Sequence, residues 1–384
     1  RPEMTGTVSG LLPANNQSNG MKRHYLFLVK IIAGAGLSLL SAQDPFVLDT
    51  SLTNVLPKSL TNSIQIADMN NDGTNDIILS GYDETRNGVF FDVINVQTDG
   101  SLLLGSQNSF VTYSDTIAGI EPGVPVGGIG GIDLIDYNRD GWIDAFLQGS
   151  ALKGTLINSN GNFNTSGIEY YSLTYSDGKW GDVNNDGAPD LFVMGVDESQ
   201  DIILNDLYIN NGSSLTKDQT TIFPDLFNGS SSWGDYDNDG DLDLVICGQT
   251  ADKTATVSRF YKNEPTGRLT ELTTTEDVGG LKAGAFRFTD LDSDGDLDMI
   301  MSGWNKIQGK LVTWILENEP LGTFSLIPNQ IDFGVAYGTI DAIDYNNDGL
   351  KDFVIAGADS VTNHAGSIHS MSGRVYLNNA NGTF

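Results

Sequence analysis

The run Asp235-Tyr236-Asp237-Asn238-Asp239-Gly240-Asp241-Leu242-Asp243 decides how this chain is read. Acidic side chains fall at its first, third, fifth and ninth positions, and glycine falls at the sixth. The same frame (Asp, any, Asn or Asp, any, Asp, Gly, any, any, Asp) begins again at Asp68, Asp136, Asp182, Asp290 and Asp344. The six starts are separated by 68, 46, 53, 55 and 54 residues, the length of one small supersecondary unit used repeatedly. Hard cations such as calcium take about six to eight oxygen ligands at roughly 2.3–2.6 Å. A nine-residue loop can offer side chains from positions 1, 3, 5 and 9 and a backbone carbonyl from position 7. Position 6 must turn sharply, and Gly73, Gly141, Gly187, Gly240, Gly295 and Gly349 stand there. Position 7 is Thr74, Trp142, Ala188, Asp241, Asp296 and Leu350, an indifference to side chain that a carbonyl ligand predicts. Asp and Asn are also ordinary turn formers, which would explain one or two copies but not a ninth aspartate six times over.

Outward from each loop the pattern continues. Four mostly apolar residues and a glycine follow the ninth aspartate, as in Leu191 to Gly195, Leu244 to Gly248 and Met299 to Gly303. Runs so short, apolar on both faces and bounded by turn signals, read as buried strands. Further on comes a strand that ends in a hairpin signal, such as Leu207-Tyr208-Ile209-Asn210-Asn211-Gly212. Another strand then opens at Phe163, Leu215, Leu269 or Phe324. Each unit is thus four antiparallel strands: A, acidic loop, B, longer loop, C, hairpin, D. This predicts an all-β fold, a β-propeller of four-stranded blades with six motif-bearing repeats and six or seven blades. Phe46 to Leu52 reads as a lone strand D that could complete the last blade; a truncated chain lacking a seventh blade is the alternative.

An EF-hand is excluded by position 12, where Leu79, Leu147, Val193, Ile246, Met301 and Ile355 stand in place of the bidentate glutamate. The repeats resemble the FG-GAP/VCBS family, the calcium-loop blades of integrin α-subunit propellers and of many secreted bacterial proteins. The resemblance covers about residues 44–384. It implies metal ligation by Asp68, Asn70, Asp72 and Asp76, by Asp136, Asn138, Asp140 and Asp144, and by Asp182, Asn184, Asp186 and Asp190. It implies the same of Asp235, Asp237, Asp239 and Asp243, of Asp290, Asp292, Asp294 and Asp298, and of Asp344, Asn346, Asp348 and Asp352. Up to six Ca2+ ions are expected. No Phe-Gly…Gly-Ala-Pro half-motif is spelled out, so the bacterial branch fits better than integrin itself. Loops four and five offer four carboxylates and the others three with an Asn, so the fourth and fifth are expected to bind most tightly.

Composition narrows the function. The 384 residues carry 50 Asp and Glu against 20 Lys and Arg, a formal charge of −30. Such a surface repels nucleic acid and anionic membranes and attracts cations. Cys247 is the single cysteine, so no intrachain disulfide forms; within an apolar strand it reads as a buried hydrophobe. Met21-Lys22-Arg23-His24, the apolar stretch Tyr25 to Leu40 and Ser41-Ala42-Gln43 read as a secretory signal peptide over 21–42. A membrane anchor is the rival reading, but Lys30 leaves a clean run short of the ~20 residues a span needs. Residues 1–20 are set aside as an upstream segment, and no span is expected in the mature chain.

The expectation is a secreted or cell-surface module, with structural calcium, that binds an extracellular protein or a glycan. Function in such folds sits on the loops that vary: Tyr82 to Gly88, Val196 to Asn205, Trp304 to Lys310, Ala358 to Gly373 and the glycine-rich Gly119 to Gly131. Tyr82 and Trp304 are candidate exposed contacts. No catalytic residue is nominated. His364 and His369 share one loop without a third zinc ligand, no Gly-x-Ser-x-Gly elbow occurs, and the clustered aspartates are taken by metal. The alternative is the propeller of a polysaccharide-degrading, lyase-like enzyme or its accessory domain.

Overall fold

Each apolar run after a ninth aspartate is the second strand of a small antiparallel sheet. A computed structural model describes residues 60–97, 102–104 and 132–384, less the stretches 84–87, 148–153, 166–172, 273–278, 328–330 and 363–366 and a few shorter gaps. The first sheet is Leu60–Ala67 (β1), Asp76–Asp83 (β2), Gly88–Val96 (β3) and Leu102–Leu104 (β4). The second is Ile132–Ile135 (β5), Asp144–Leu147 (β6), Gly154–Ser159 (β7) and Asn162–Thr165 (β8). The third is Thr174–Gly181 (β9), Asp190–Asp197 (β10), Ile202–Asn210 (β11) and Leu215–Lys217 (β12). The fourth is Leu226–Gly234 (β13), Asp243–Thr250 (β14), Thr256–Glu264 (β15) and Arg268–Glu271 (β16). The fifth is Lys282–Thr289 (β17), Asp298–Asn305 (β18), Lys310–Glu317 (β19) and Ser325–Ile327 (β20). The sixth is Ala336–Ile343 (β21), Asp352–Thr362 (β22) and Ser367–Tyr376 (β23). Strands pair in chain order within every sheet, and the sheets are the blades of a β-propeller.

Five sheets have four strands and the sixth has three among the described residues. The closing strand expected at Phe46 to Leu52 lies outside them, as does Gly119 to Gly131. Two expected loops are shorter than the composition suggested. Strand pairing runs to Thr362↔Ser367 in the sixth sheet and to Asp197↔Ile202 in the third. Polar residues there continue the ladder, because backbone pairing needs no apolar side chain at a blade's outer end.

The second strands are buried nearly throughout, as β10, β14 and β18 show, because each faces a neighbouring blade on both sides. The hydrophobic core is accordingly divided. Ile78 and Phe91 of the first sheet meet Ala145, Leu147 and Phe163 of the second. Val245, Cys247 and Phe260 of the fourth meet Met299, Met301 and Leu316 of the fifth. Clusters of the same kind join the second to the third, the third to the fourth and the fifth to the sixth. Glycine makes room at these seams: a Cβ on Gly181 would sit 3.0 Å from the Trp233 ring, and one on Gly234 would sit 2.8 Å from Phe288.

First strands are innermost, with β9, β13, β17 and β21 packed side by side. Their free edges are satisfied across the seams. Asp133 accepts the Trp180 N–H at 2.9 Å, Asp177 accepts the Ser231 N–H at 2.6 Å, and Trp233 Nε1 donates to the Lys179 carbonyl at 3.1 Å. Near their starts β13, β17 and β21 bulge at Asn228, Ala283 and Tyr337, with φ of 52°, 51° and 50°. The glycine after the first bulge is obligatory, since a Cβ on Gly229 would fall 1.7 Å from the Cys247 carbonyl oxygen.

Candidate metal centres

Each acidic loop joins the first strand of a sheet to the second, so all six lie at one end of the blades. Their backbone is shared. Position 6 glycines have φ between 82° and 98°, and position 4 is also left-handed in every copy, at Asn71, Arg139, Asn185, Asn238, Ser293 and Asn347. Asn occupies four of those six places, which suits a residue that tolerates this region; the sequence reading passed over that signal.

The curled backbone turns its N–H groups onto the acidic side chains. In the first loop the Asp72 N–H donates to Asp68 Oδ1 and Asn70 Oδ1 at 3.0 Å, and the Gly73 N–H donates to Asp68 Oδ2 at 2.7 Å. The same bonds fix Asp136 with Asn138, Asp182 with Asn184, Asp235 with Asp237 and Asp344 with Asn346. Position 5 accepts from position 7, as in Thr74 to Asp72, Trp142 to Asp140, Ala188 to Asp186, Asp241 to Asp239 and Leu350 to Asp348. The fifth loop differs, since Asp290 accepts from Ser293 N at 2.7 Å while Asp292 and Asp294 accept from Asp294 N and Asp296 N. Carboxylate oxygens of Asp235, Asp237 and Asp239, and of Asp290, Asp292 and Asp294, converge within 4.8 Å of one another. The donors of both clusters are oxygens on an oriented backbone, the kind a hard divalent cation such as calcium takes, although the Lys262 ammonium lies against Asp237 and Asp239 in the first of them.

The ninth aspartates stand apart from those two clusters. Asp76, Asp144, Asp190, Asp243, Asp298 and Asp352 are buried. One oxygen of each accepts the N–H of position 2: Met69, Tyr137, Val183, Tyr236, Leu291 and Tyr345. The other accepts an N–H from the third strand or just beyond it: Val96, Asn158, Asn210, Asn263, Asn318 and Asn378. Each ninth carboxylate thus pins the loop to the third strand. Burial lifts Asp76, Asp144 and Asp190 to about 6, against the pull of those two N–H bonds. It lifts Asp243 and Asp298 to about 7. Asp296, beside Asp294 and Asp292, is raised to about 6, chiefly by burial and then by those charges.

The third-strand asparagines, read in the sequence only as hairpin signals, join the blades. Asn263 Nδ2 donates to the Leu242 carbonyl of its own loop at 3.1 Å and to the Val183 carbonyl of the preceding loop at 2.7 Å. Asn158, Asn210, Asn318 and Asn378 make the same pair of bonds. Their acceptor in the preceding blade is always the position 2 carbonyl. Position 2, read as unconstrained, is apolar or Tyr in all six copies, and that periodicity was the available sign of its burial. Loops also touch directly: Asn71 donates to the Gly141 carbonyl at 3.0 Å, Asn238 to that of Gly295 at 3.1 Å, and Arg139 to Asp186 at 3.2 Å.

Elsewhere the nominated residues fall unevenly. Trp304 is half-buried rather than exposed. The side chains of Tyr82, His364 and His369 lie outside the described residues. Cys247 is buried, its thiol pushed up to about 11 by burial.

Three overlapping stretches, residues 182–246, 235–301 and 290–355, match the family model of the FG-GAP-like repeat. No curated protein matches the chain. Among solved structures it is similar to AofleA from Arthrobotrys oligospora, 10% identical, with 83% of each chain covered and a TM-score of 0.47. It is similar to the fucose-specific lectin from Aleuria aurantia, 10% identical over 84% of this chain and 97% of that one, TM-score 0.44. An endo-arabinase from Bacteroides thetaiotaomicron is 15% identical over 85% of this chain and 96% of that one, TM-score 0.37. These likenesses say nothing of a shared ligand or reaction. The sheets form a β-propeller in which the two acidic loops before residue 182 carry the same frame at the same place in their sheets, and residues 182–355 belong to the FG-GAP-like repeat family.

Proposed function

We propose that this protein is a secreted, calcium-binding propeller that docks an extracellular partner on the face opposite its acidic loops. Calcium in this reading is structural: it neutralises oxygen clusters already held in place by backbone N–H groups. Secretion rests on the signal-peptide pattern at residues 21–42, which lie outside the described structure.

The observation that carries the docking face is where large apolar side chains are left in water. First strands run toward the acidic loops and second strands away from them, so the β18–β19 and β12–β13 connections lie at the far end. Ile307, in the first connection, is 83% exposed, and Ile222, in the second, is 87% exposed. Aliphatic side chains this open suit a protein partner, whose contact surface would take them out of water. Tyr337, exposed at the start of β21 with a left-handed backbone, also stands at that end and supports a glycan as the second reading, because aromatic faces stack on sugar rings.

The test is a combined protein and glycan array probed with the calcium-loaded protein, the double variant Ile222→Asp/Ile307→Asp, and Tyr337→Ala. Loss of roughly tenfold or more in binding to a protein probe by the double variant supports the first reading. Loss of a glycan signal on Tyr337→Ala alone supports the second. Undiminished binding by both variants would place the contact surface elsewhere.

A further inference from the structure

Loops four and five look equivalent in sequence, each with aspartate at positions 1, 3, 5 and 9, and both gather three carboxylates in space. What the third strand brings to them differs. Lys262 of β15 directs its ammonium into loop four, where it bonds the Asp237 carboxylate and lies 3.1 Å from Asp239 Oδ2. Register fixes the corresponding residue of the fifth blade. Leu244 pairs with Tyr261 and Met299 with Leu316, and the bridging Asn263 and Asn318 follow two residues later. The residue between is Lys262 in one blade and Glu317 in the other. The matching places of the remaining blades hold Asn95, Ile157, Ile209 and Leu377, none of them charged. Loop five also carries the buried Asp296 at position 7, whereas Asp241 of loop four accepts a bond from Asn185 of the neighbouring loop.

We infer that Lys262 is the built-in cation of loop four, so that loop four is partly neutralised without metal while loop five depends on one. This rests on the calcium reading above and divides it loop by loop. A lysine ammonium offers three N–H donors on a flexible stem and serves as a compact point charge. A divalent ion bound to Asp237 and Asp239 would occupy the same few ångströms. It must first expel the ammonium, and the displaced like charge opposes it. Among the described residues loop five has no such occupant, and the strand position that carries Lys262 beside loop four carries Glu317 in the fifth blade. Equal carboxylate number in sequence therefore conceals unequal demand for metal.

The experiment is calcium stoichiometry by isothermal titration calorimetry, with melting temperature in excess chelator, on the full chain and on Lys262→Met and Glu317→Lys. Lys262→Met is expected to bind one more calcium per chain, with loop-four affinity raised roughly tenfold or more. It should also melt lower than the parent in chelator and recover when calcium is added. Glu317→Lys is expected to bind one calcium fewer and to lose less in chelator. Should Lys262→Met fail to fold without calcium yet fold with it, the inference is upheld; should it fold under neither condition, Glu317→Lys decides. A parent that binds calcium, with stoichiometry unchanged in both variants, overturns the assignment of Lys262 alone. A parent that binds none overturns the calcium reading and the inference together.

Discussion

Asn263 shows how much one residue type can do beyond its local preference. Its side chain bonds two buried carbonyls belonging to different blades, while its own N–H holds Asp243. Replacing it by alanine leaves those carbonyls dry and unpaired, so Asn263→Ala should lose about 2–4 kcal/mol. The exposed Asn211 of the third blade, bonded to Ser214 in its own hairpin, should lose under about 1 kcal/mol on the same change. Urea denaturation of the two variants checks the contrast, and equal losses would deny the bridging role. At Cys247 the sequence reading and the structure agree. Burial disfavours the thiolate, so native protein at pH 8 should stay silent to a thiol reagent and release one reactive group per chain in denaturant; rapid native labelling would contradict the packing. Both residues sit in stretches whose local signal was plain. Only the neighbouring blade converts the turn former into a bridge.

Elements were legible where period and punctuation agreed. The second strands followed from four apolar residues between an aspartate and a glycine, because burial on both faces makes the run apolar throughout and the turn residues at its ends leave it too short for a helix. The third strands and hairpins followed from the Asn-Asn-Gly type of signal. Loop lengths were not legible, since pairing persists through polar residues such as Ser367, and neither were the connections between blades. There Gly280 and Gly334 pass so close to the preceding sheet that a Cβ would lie 2.0 Å from Val257 N and 2.4 Å from Val312 N. Gly280→Ala must push backbone against backbone and should cost more than about 2 kcal/mol. Gly309→Ala, at φ +63° in open space, should cost only about 1 kcal/mol of backbone strain. Thermal melts of the pair test this, and a tolerated Gly280→Ala would mean that the crossing is looser than it stands here.

Among the described residues stability is spread over five seams between consecutive sheets rather than one core. Acidic loops crowd one end of all of them. Divalent ions in the five loops other than loop four would add ten positive charges to the formal −30, leaving −20. Calcium should therefore raise the melting temperature, and chelator should lower it; an unchanged value in both would remove the structural role of the metal. Added monovalent salt should restore part of the chelator loss by screening. By itself the sequence determined the repeat, the class of fold, the strand order inside a blade and the donor chemistry of the loops. All of these are written in spacings shorter than one blade, where covalent connection fixes which residues meet. Tertiary structure alone decided that the ninth aspartates serve as buried pins, that asparagines tie each blade to the one before, and that a lysine enters loop four where its counterpart is a glutamate. The pins and the lysine join residues 7 to 26 positions apart, which only the folding of each sheet brings together, and the asparagine ties span 73 to 89 positions, which only the packing of one sheet on the next brings within hydrogen-bonding distance.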